Sequence, residues 1–400
     1  MPQPIYLDHA ATTPVRPEVL EAMQPFFAAR FGNPSSTHRW GREARAALDE
    51  ARERLAHCLG ASPGEVWFTS GGTEGDNTAV LGIWRARRHE RCAVVSTPIE
   101  HKAVLGAVHQ IVREGGEERL LAVRPEGLVD GDSFERLVDA PVALVSVMWV
   151  NNEIGVVQPV PQLAERARAR GACFHTDAVQ ALGKVEVNVG RVPVDALTIS
   201  GHKIGAPKGS GALYVRSGTP IESLMHGGTQ NFGHRPGTEN VAYAVALARA
   251  AELAVAEREA EGARLARLRD ALQAAFVERV PGAVVNGRGA PRAPHILNVS
   301  VPGTDSESLL MALDLKGVAA SSGSACQSGS VSPSHVLSAL GLPDDLAASA
   351  IRFSLGALTT EDCVRRVAEL LPALIEKARR LAGVPAAPGT APGTAPLAAR

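Results

Sequence analysis

The fold is decided by residues 142–177, VALVSVMWVNNEIGVVQPVPQLAERARARGACFHTD. An apolar run, VALVSVMWV, opens this stretch, the arginine-rich ERARARG follows as a helix, and a second apolar run, ACFHTD, closes it. Apolar strands that alternate with helices are typical of βα units, in which neighbouring strands lie parallel. The stretch therefore predicts an α/β protein with a mostly parallel sheet.

The same alternation extends on both sides, from about residue 40 to residue 260. Further strands are predicted at VWFTS, CAVVS, ALTIS and GALYV, and helices such as REARAALDEARERLAHCLG separate them. A long alanine-rich helix from Glu239 to about Val280 leads out of this region. We expect a large domain at residues 16–260 and a smaller α+β domain made of residues 1–15 and 261–383. The tail, residues 384–400, repeats Gly-Thr-Ala-Pro and is predicted to be disordered.

The composition indicates a globular protein without a strong charge. With 45% hydrophobic residues, 21% charged residues and a formal net charge of -1, it argues against nucleic-acid binding and against a membrane surface. The N-terminal MPQPIYLDHAATT lacks the pattern of a targeting segment. The five cysteines form neither a CxxC pair nor a zinc-type cluster, so we predict no metal site and a cytoplasmic location.

Polar residues follow the predicted strands, at the sheet edge where α/β enzymes bind ligands. After VWF, Gly72 and Thr73 begin a helix whose free N–H groups suit a phosphate, although such turns are often only tight connections. After VSVMWV, Asn151 and Asn152 are either turn residues or ligand-facing amides, and the pattern alone does not separate these alternatives.

A histidine follows the strand CAVVS. Thr97, Pro98 and Glu100 have the spacing of a capping box, which predicts a helix that begins there. His101 would then lie in the first helical turn and face the same sheet edge. A lone histidine in this position is either structural or catalytic.

The next two strands end in residues that are unusual for a core. Asp177 ends an apolar strand, so its carboxylate should face a cation, either an arginine or the protonated ring nitrogen of pyridoxal phosphate. Gln180 follows three residues later. Lys203 stands after ALTIS, next to Ser200 and His202, which could donate to a phosphate. A lysine against apolar walls has a lowered pKa and can form a Schiff base with an aldehyde cofactor.

Nine motifs together resemble one family. They are YLDHAATTP, FGNPSSTHRWG, FTSGGTEGDN, EHKAV, VNNEIGVVQP, HTDAVQALGK, SGHKIGAPKGSGALYV, RPGTENV and SSGSAC with IRFSLG. In this order they are similar to the motifs of cysteine desulfurases, which are pyridoxal-phosphate enzymes of the class V aminotransferase superfamily with fold type I. The resemblance runs from about Ile5 to the final helix and leaves out only the tail.

The resemblance implies a role for each matching residue. Lys203 would bind the cofactor covalently, with Asp177 at the pyridine nitrogen, Gln180 at the ring hydroxyl, and His101 stacked on the ring and moving protons. The phosphate would be held by Gly72, Thr73, Ser200 and His202, and by Thr238 from the other subunit of a homodimer. Asn152 and Arg352 would hold the substrate carboxylate.

The resemblance also implies the reaction. L-cysteine would become L-alanine, and its sulfur would pass to Cys326 in the Gly/Ser-rich SSGSACQSGS, residues 321–330. The expected acceptors are proteins such as an iron–sulfur scaffold, for iron–sulfur cluster assembly or for thiolation of tRNA and cofactors. The other cysteines are predicted to serve packing: Cys58, Cys92, Cys173 and Cys363. The alternatives are a selenocysteine lyase or another aminotransferase that uses Lys203, and a non-catalytic binding protein.

The sequence departs from the family pattern at a few positions. Where the family usually reads Gly-Gly-Gly-Gln-Glu-Arg-Gly, this chain has GGTQNFG within GGTQNFGHRPGT. The replaced residues are Thr229, Asn231, Phe232 and, further on, Pro236. Gly75 stands where serine is usual. These departures concern the expected subunit-interface wall of the pocket, and they leave the lysine, aspartate and cysteine unchanged.

Overall fold

The protein is described by a computed structural model that covers residues 3–322 and 333–381. Cys326 and the predicted disordered tail at residues 384–400 lie outside the described residues. The strands are β1 Ile5–Tyr6, β2 Val66–Thr69, β3 Ala93–Ser96, β4 Glu117–Leu120, β5 Val142–Ser146, β6 Cys173–Asp177, β7 Ala196–Ser200, β8 Gly211–Val215, β9 Val284–Val285, β10 Ile296–Ser300, β11 Val318–Ala319 and β12 Ala350–Ser354.

The helices alternate with the strands through the first half of the chain. They are α1 Pro17–Met23, α2 Pro25–Ala28, α3 Arg39–Leu59, α4 Gly72–Arg87, α5 Lys102–Arg113, α6 Gly131–Leu137, α7 Val160–Ala169, α8 Val241–Arg279, α9 Ser306–Asp314, α10 His335–Ala339, α11 Asp344–Ala348 and α12 Glu361–Leu381. Helix α3 ends as its sequence predicts, because Gly60 takes a left-handed conformation with φ 70°. No helix in the described ranges has the length and apolar character needed to cross a bilayer.

The main sheet has the strand order β2-β8-β7-β6-β5-β3-β4. Strands β3 to β7 pair in parallel, and β8 runs antiparallel to both β7 and β2. The predicted α/β class with a mostly parallel sheet is therefore confirmed. Buried β5, β6 and β7 occupy the centre of the sheet, so their carboxyl ends meet at one edge.

A second, smaller sheet lies in the C-terminal part of the chain. Strand β10 pairs antiparallel with β12 on one side and with β9 on the other. Helix α8 connects the two parts, because its first half packs into the core of the main sheet and Leu265–Phe276 packs into the second core. The N-terminal strand β1 joins the second part by pairing in parallel with β11. The exact domain limits stay a prediction.

Candidate active site

A cavity of about 370 Å³ opens at the carboxyl ends of β5, β6 and β7. This is the edge at which open α/β sheets bind ligands, and the volume lies within the range of small-molecule sites. Ten of the residues singled out in the sequence line it: Gly72, Thr73, His101, Asn152, Asp177, Gln180, Ser200, His202, Lys203 and Arg352. The structure thus brings into one cavity residues that are 280 positions apart in the chain, from Gly72 to Arg352.

One end of the cavity is built to hold an anion. Helix α4 begins at Gly72, and Gly71 before it has φ 153°, which favours glycine. The backbone N–H groups of the first turn have no partner within the helix and point out of its N-terminus. Ser200 and His202 line the same cavity. Burial lowers the pKa of His202 to about 4, with help from nearby lysines, so the imidazole is neutral at pH 7. A neutral imidazole and a hydroxyl still donate hydrogen bonds to a phosphate.

Asp177 lies deep in the cavity at the end of β6. Its Oδ1 accepts a hydrogen bond from the backbone N–H of Val179 at 2.8 Å. Burial raises the pKa of Asp177, while His101 and Lys203 favour its charged form. Among the residues that the structure describes, no arginine contributes to the environment of this carboxyl. The arginine alternative is therefore not found here, and the carboxylate is free to face a cationic ligand.

A second buried carboxyl, which the sequence analysis missed, lies beside Asp177. Asp76 sits on α4 with 1% exposure, and its Oδ1 has no hydrogen-bond partner among the described residues. An oxygen of Asp76, a ring nitrogen of His101 and an oxygen of Asp177 lie within 4.8 Å of one another. Burial, followed by the charge of Asp177, raises the pKa of Asp76 well above its ordinary value. The two neighbouring carboxyls therefore disfavour each other's ionised form.

Lys203 follows β7 and reaches across the cavity to the N-terminal segment. Its Nζ donates to the backbone carbonyl oxygens of Ala10 and Ala11, both at 2.7 Å. The side chain of Gln180 donates to the Ala10 carbonyl as well, at 2.9 Å. Sequence reasoning missed this segment as part of the site, because its contacts come from main-chain atoms that carry no residue-type signal.

His101 occupies the predicted edge, but the helix begins later than its sequence indicates. The residue is the N-cap of α5, and its Nδ1 accepts a hydrogen bond from the N–H of Ala103 at 3.2 Å. The predicted capping box is wrong, because Thr97 donates to the Glu100 carboxyl instead of receiving a helix N–H. With Nδ1 as acceptor, the ring proton of neutral His101 lies on Nε2. Burial lowers the pKa of His101, so the neutral form is favoured.

The two asparagines after β5 have different roles. Asn151 is a turn residue, since its Oδ1 accepts from the N–H groups of Glu153 and Ile154. Asn152 lines the cavity, and its carbonyl oxygen accepts from Arg352 at 2.9 Å. Arg352 itself is 3% exposed and pairs with Asp8 at 2.8 Å.

The chain enters and leaves residues 323–332 at the rim of this cavity. Before that stretch, the backbone of Ser321 pairs with Arg352. After it, Ser334 donates to the buried carboxyl of Glu153 at 2.5 Å, and a ring nitrogen of His335 lies 2.9 Å from the carbonyl oxygen of Glu100. Both ends of the stretch that contains Cys326 are therefore fixed beside the site.

Thr238 does not line the cavity of this chain and is exposed. In the preceding segment, Asn231 and Phe232 both have positive φ, 44° and 61°, which is rare for residues other than glycine. The Asn231 amide oxygen accepts from Arg52, and the Arg52 guanidinium contacts the ring of Phe68 and the ring of Phe232. Asn231 and Phe232 thus form one cluster with Arg52 of α3. Nothing in the structure explains Thr229.

The donor set fits pyridoxal phosphate. The helix start with Ser200 suits the phosphate, Asp177 suits a protonated ring nitrogen, and Lys203 supplies an amine for the aldehyde. The spacing of Asp76, His101 and Asp177 would also suit a divalent cation. The cavity also contains the amine of Lys203 and the anion-binding first turn of α4, however. Both groups favour an anionic aldehyde over a cation alone.

Three comparisons with known proteins agree with this geometry. A family model described as aminotransferase class-V matches residues 5–367. The cysteine desulfurase IscS of Dictyoglomus turgidum is 45% identical over 381 residues, which are 95% of this chain and 97% of that protein. A NifS-like protein structure has a TM-score of 0.86 at 34% identity and covers 95% of this chain and 100% of that one. The structure of SspA in complex with cysteine has a TM-score of 0.79 at 33% identity, with 88% and 98% covered.

The similar structures confirm the predicted fold type I. The family match confirms pyridoxal phosphate as the cofactor that the sequence predicts. By these comparisons, the chain belongs to the class-V aminotransferase family and, within it, to the cysteine desulfurases.

Proposed function

We propose that this enzyme takes sulfur from L-cysteine, leaves L-alanine, and carries the sulfur as a persulfide on Cys326. One observation carries the proposal: Lys203, Asp177 and Arg352 line a single cavity, and the stretch that contains Cys326 is tied to its rim. The names of the relatives support the same activity.

The substrate carboxylate binds to Arg352. The guanidinium is buried, so its charge acts in a low dielectric, and Asn152 lies beside it on the cavity wall. An arginine fork fixes the orientation of a carboxylate as well as its position. This contact places the amino group and the sulfur of L-cysteine toward Lys203 and the rim.

Lys203 moves the substrate proton. Its Nζ rests on the Ala10 and Ala11 carbonyl oxygens, which hold the amine at the cavity wall when it is not covalently engaged. Asp177 keeps a proton on the ring nitrogen of the cofactor. When bound, pyridoxal phosphate supplies the electron sink that makes the α-proton acidic and the sulfur transferable. His101, whose neutral form burial favours, relays protons by first accepting one and then returning it as an imidazolium.

Cys326 supplies the sulfur acceptor. It lies five residues after Ser321, whose backbone pairs with Arg352, so a fully extended chain could reach at most about 18 Å from that anchor. The thiolate attacks the substrate sulfur, the carbon–sulfur bond breaks, and the carbon skeleton leaves as alanine once protonated. Arg352 and the other cations of the cavity favour the thiolate.

Further parts of the proposal concern partners and location. The enzyme acts as a homodimer in which Thr238 of each subunit completes the phosphate site of the other. It works in the cytoplasm and passes sulfur to acceptor proteins such as an iron–sulfur scaffold. The cytoplasmic location is supported by the four cysteines in the described residues, which are all free thiols.

Mass spectrometry after treatment with L-cysteine tests the proposal. We expect one added sulfur atom on the peptide that contains Cys326, and loss of both sulfide release and the adduct in Cys326→Ala with the cofactor absorption band unchanged. Cys363→Ala is the matched control, because Cys363 lies on α12 away from the cavity and should leave the adduct intact. Full turnover of L-cysteine by Cys326→Ala would contradict the proposal.

A further inference from the structure

The donor groups of Arg352 are only partly used within the protein. A guanidinium has five N–H groups. One on NH1 goes to the Asn152 carbonyl at 2.9 Å, and one on NH2 goes to Oδ1 of Asp8 at 2.8 Å. Nε is buried without a partner among the described residues. One N–H therefore remains on each terminal nitrogen, and two N–H groups on the two terminal nitrogens can hold a carboxylate in a bidentate contact.

Asp8 is held rigidly in the place from which it contacts Arg352. It forms a parallel bridge with Ser354, on the same strand as Arg352 and two residues further. The Ser354 N–H donates to the Leu7 carbonyl at 2.8 Å, and the His9 N–H donates to the Ser354 carbonyl at 3.1 Å. Backbone pairing on both sides of Asp8 thus fixes the position of its carboxylate relative to β12.

The contact is also one-sided. One oxygen of Asp8 accepts from one terminal nitrogen of Arg352, so Asp8 does not form a bidentate contact with the guanidinium. Asp8 holds one terminal nitrogen from outside the cavity lining and the Asn152 carbonyl holds the other from the cavity wall, and each of these nitrogens keeps a second N–H group. A buried guanidinium with three unengaged donors would otherwise rotate to satisfy them, because unpaired buried donors are costly.

We infer that Asp8 is a positioning residue for the substrate: it sets the rotation of the Arg352 guanidinium so that its free N–H pair faces the amino-acid carboxylate. The inference rests on the proposed role of Arg352. It goes beyond that role because it assigns a function to the N-terminal segment. Asp8 also offsets the charge of Arg352, which favours a bidentate carboxylate over anions that bind by charge alone.

Two variants of Asp8 separate orientation from charge. Asp8→Ala removes the acceptor, and we expect KM for L-cysteine to rise about tenfold, the factor that one lost hydrogen bond represents, with kcat within about threefold. Asp8→Asn keeps an acceptor oxygen and should restore KM to within about threefold of the parent. Equilibrium binding of L-alanine to the holoenzyme, followed by calorimetry, should weaken in parallel in Asp8→Ala. The absorption spectrum of the bound cofactor should not change.

Glu257→Ala is the matched control. It breaks a bidentate contact with Arg16, at 2.7 and 2.8 Å, which also ties the N-terminal segment to the rest of the chain. Its KM and L-alanine affinity should stay at the parent values. If Asp8→Ala behaves in the same way, the inference is wrong.

Arg352→Gln distinguishes this failure from failure of the proposed function. A large rise in KM for Arg352→Gln, with none for Asp8→Ala, leaves Arg352 as the carboxylate site and overturns only the role of Asp8. An unchanged KM for Arg352→Gln overturns both.

Discussion

Glu100 is a carboxyl that the fold buries completely beside the active site. Its Oε1 accepts from the Thr97 hydroxyl at 2.9 Å and from the Met148 N–H at 2.8 Å. Its Oε2 has no partner within the described part of the chain. Burial raises the pKa of Glu100 to about 8, so the folded protein keeps this group protonated at neutral pH. In the unfolded chain the same carboxyl ionises near pH 4.3.

This difference predicts how stability depends on pH. The favourable contribution of protonated Glu100 is complete below the unfolded pKa and is lost as pH rises through about 8. The side chain in Glu100→Gln cannot ionise, so this variant should lose the part of the pH dependence of the free energy of unfolding that Glu100 causes. Relative to the parent, the variant should gain stability between pH 5 and pH 9, by at most about 5 kcal/mol.

Thermal or urea unfolding without added cofactor, at pH values from 5 to 9, measures this effect. Glu278→Gln is the control, because Glu278 is exposed on α8. Its curve of stability against pH should run parallel to that of the parent. A Glu100→Gln curve that also runs parallel to the parent would show that the carboxyl ionises without penalty.

Single residues of the site could be predicted from sequence when their type conflicts with their surroundings. Asp177 stands out because it ends an apolar strand, and Lys203 stands out because it comes three residues after one. Asp76 lies inside a helix, where a carboxylate is ordinary, so only tertiary packing makes it unusual. Ala10 and Ala11 act through carbonyl oxygens that every residue has, and no sequence pattern marks them.

At the scale of elements, the phosphate end of the cavity depends on how closely α4 packs against β7. A Cβ at Gly75 would lie 2.6 Å from Thr198 Cγ2, well inside a van der Waals contact. Because Gly75 is one turn after Gly72 and Thr73, the absence of a side chain here lets the helix start approach the sheet. A serine side chain at this position does not fit this packing.

Gly75→Ser should therefore displace α4 and destabilise the protein by about 1–3 kcal/mol, the usual cost of overpacking. We also expect weaker cofactor binding, measured by titration of the cofactor-free protein. Gly106→Ser is the matched control, since Gly106 also lies in a helix but has no atom near its Cβ position. It should be neutral or slightly stabilising. Equal effects in the two variants would argue against close packing as the reason for Gly75.

Most elements could be predicted from the sequence, and the exceptions have physical reasons. Six strands of the main sheet are mostly apolar, and all six appear where VWFTS, CAVVS, VALVSVMWV, ACFHTD, ALTIS and GALYV predict them. Strand β4 was missed because Glu117–Leu120 is polar and lies at the sheet edge, where only one neighbour pairs with it. Strand β5 ends at Ser146, four residues before its apolar run does.

At the scale of the molecule, several features support the proposed dimer. Large apolar side chains are exposed around α2 and α3, with Phe27 at 59%, Phe31 at 67% and Trp40 at 52%. Exposed apolar groups of this kind often mark protein interfaces. Thr238 is exposed and does not reach the cavity of its own chain.

Mixing two defective dimers tests whether the phosphate site is shared. Lys203→Ala should be inactive, and Thr238→Ala should be weak at limiting cofactor. In a hybrid dimer, one site would carry both changes and the other would carry neither. Equilibrated equal mixtures should therefore recover about a quarter of the parent activity, because half of the dimers are hybrids with one intact site.

The control mixture pairs Lys203→Ala with Asp177→Ala, two changes in residues that one chain contributes to its own cavity. Every site in that hybrid remains defective, so no activity should return. Recovery in neither mixture would mean that Thr238 does not act across subunits.

The N-terminal segment has a consequence for how the enzyme is made. Its contacts join residues that are 344 and 345 positions apart, since Ala10 and His9 both bond Ser354. On a ribosome the segment emerges 344 residues before Ser354 of β12, which it must meet. Asp8 and the carbonyl groups that hold Lys203 can take their places only after β12 has been released. Completion of the catalytic cavity therefore belongs among the last steps of folding, and a nascent chain cannot become active before that point.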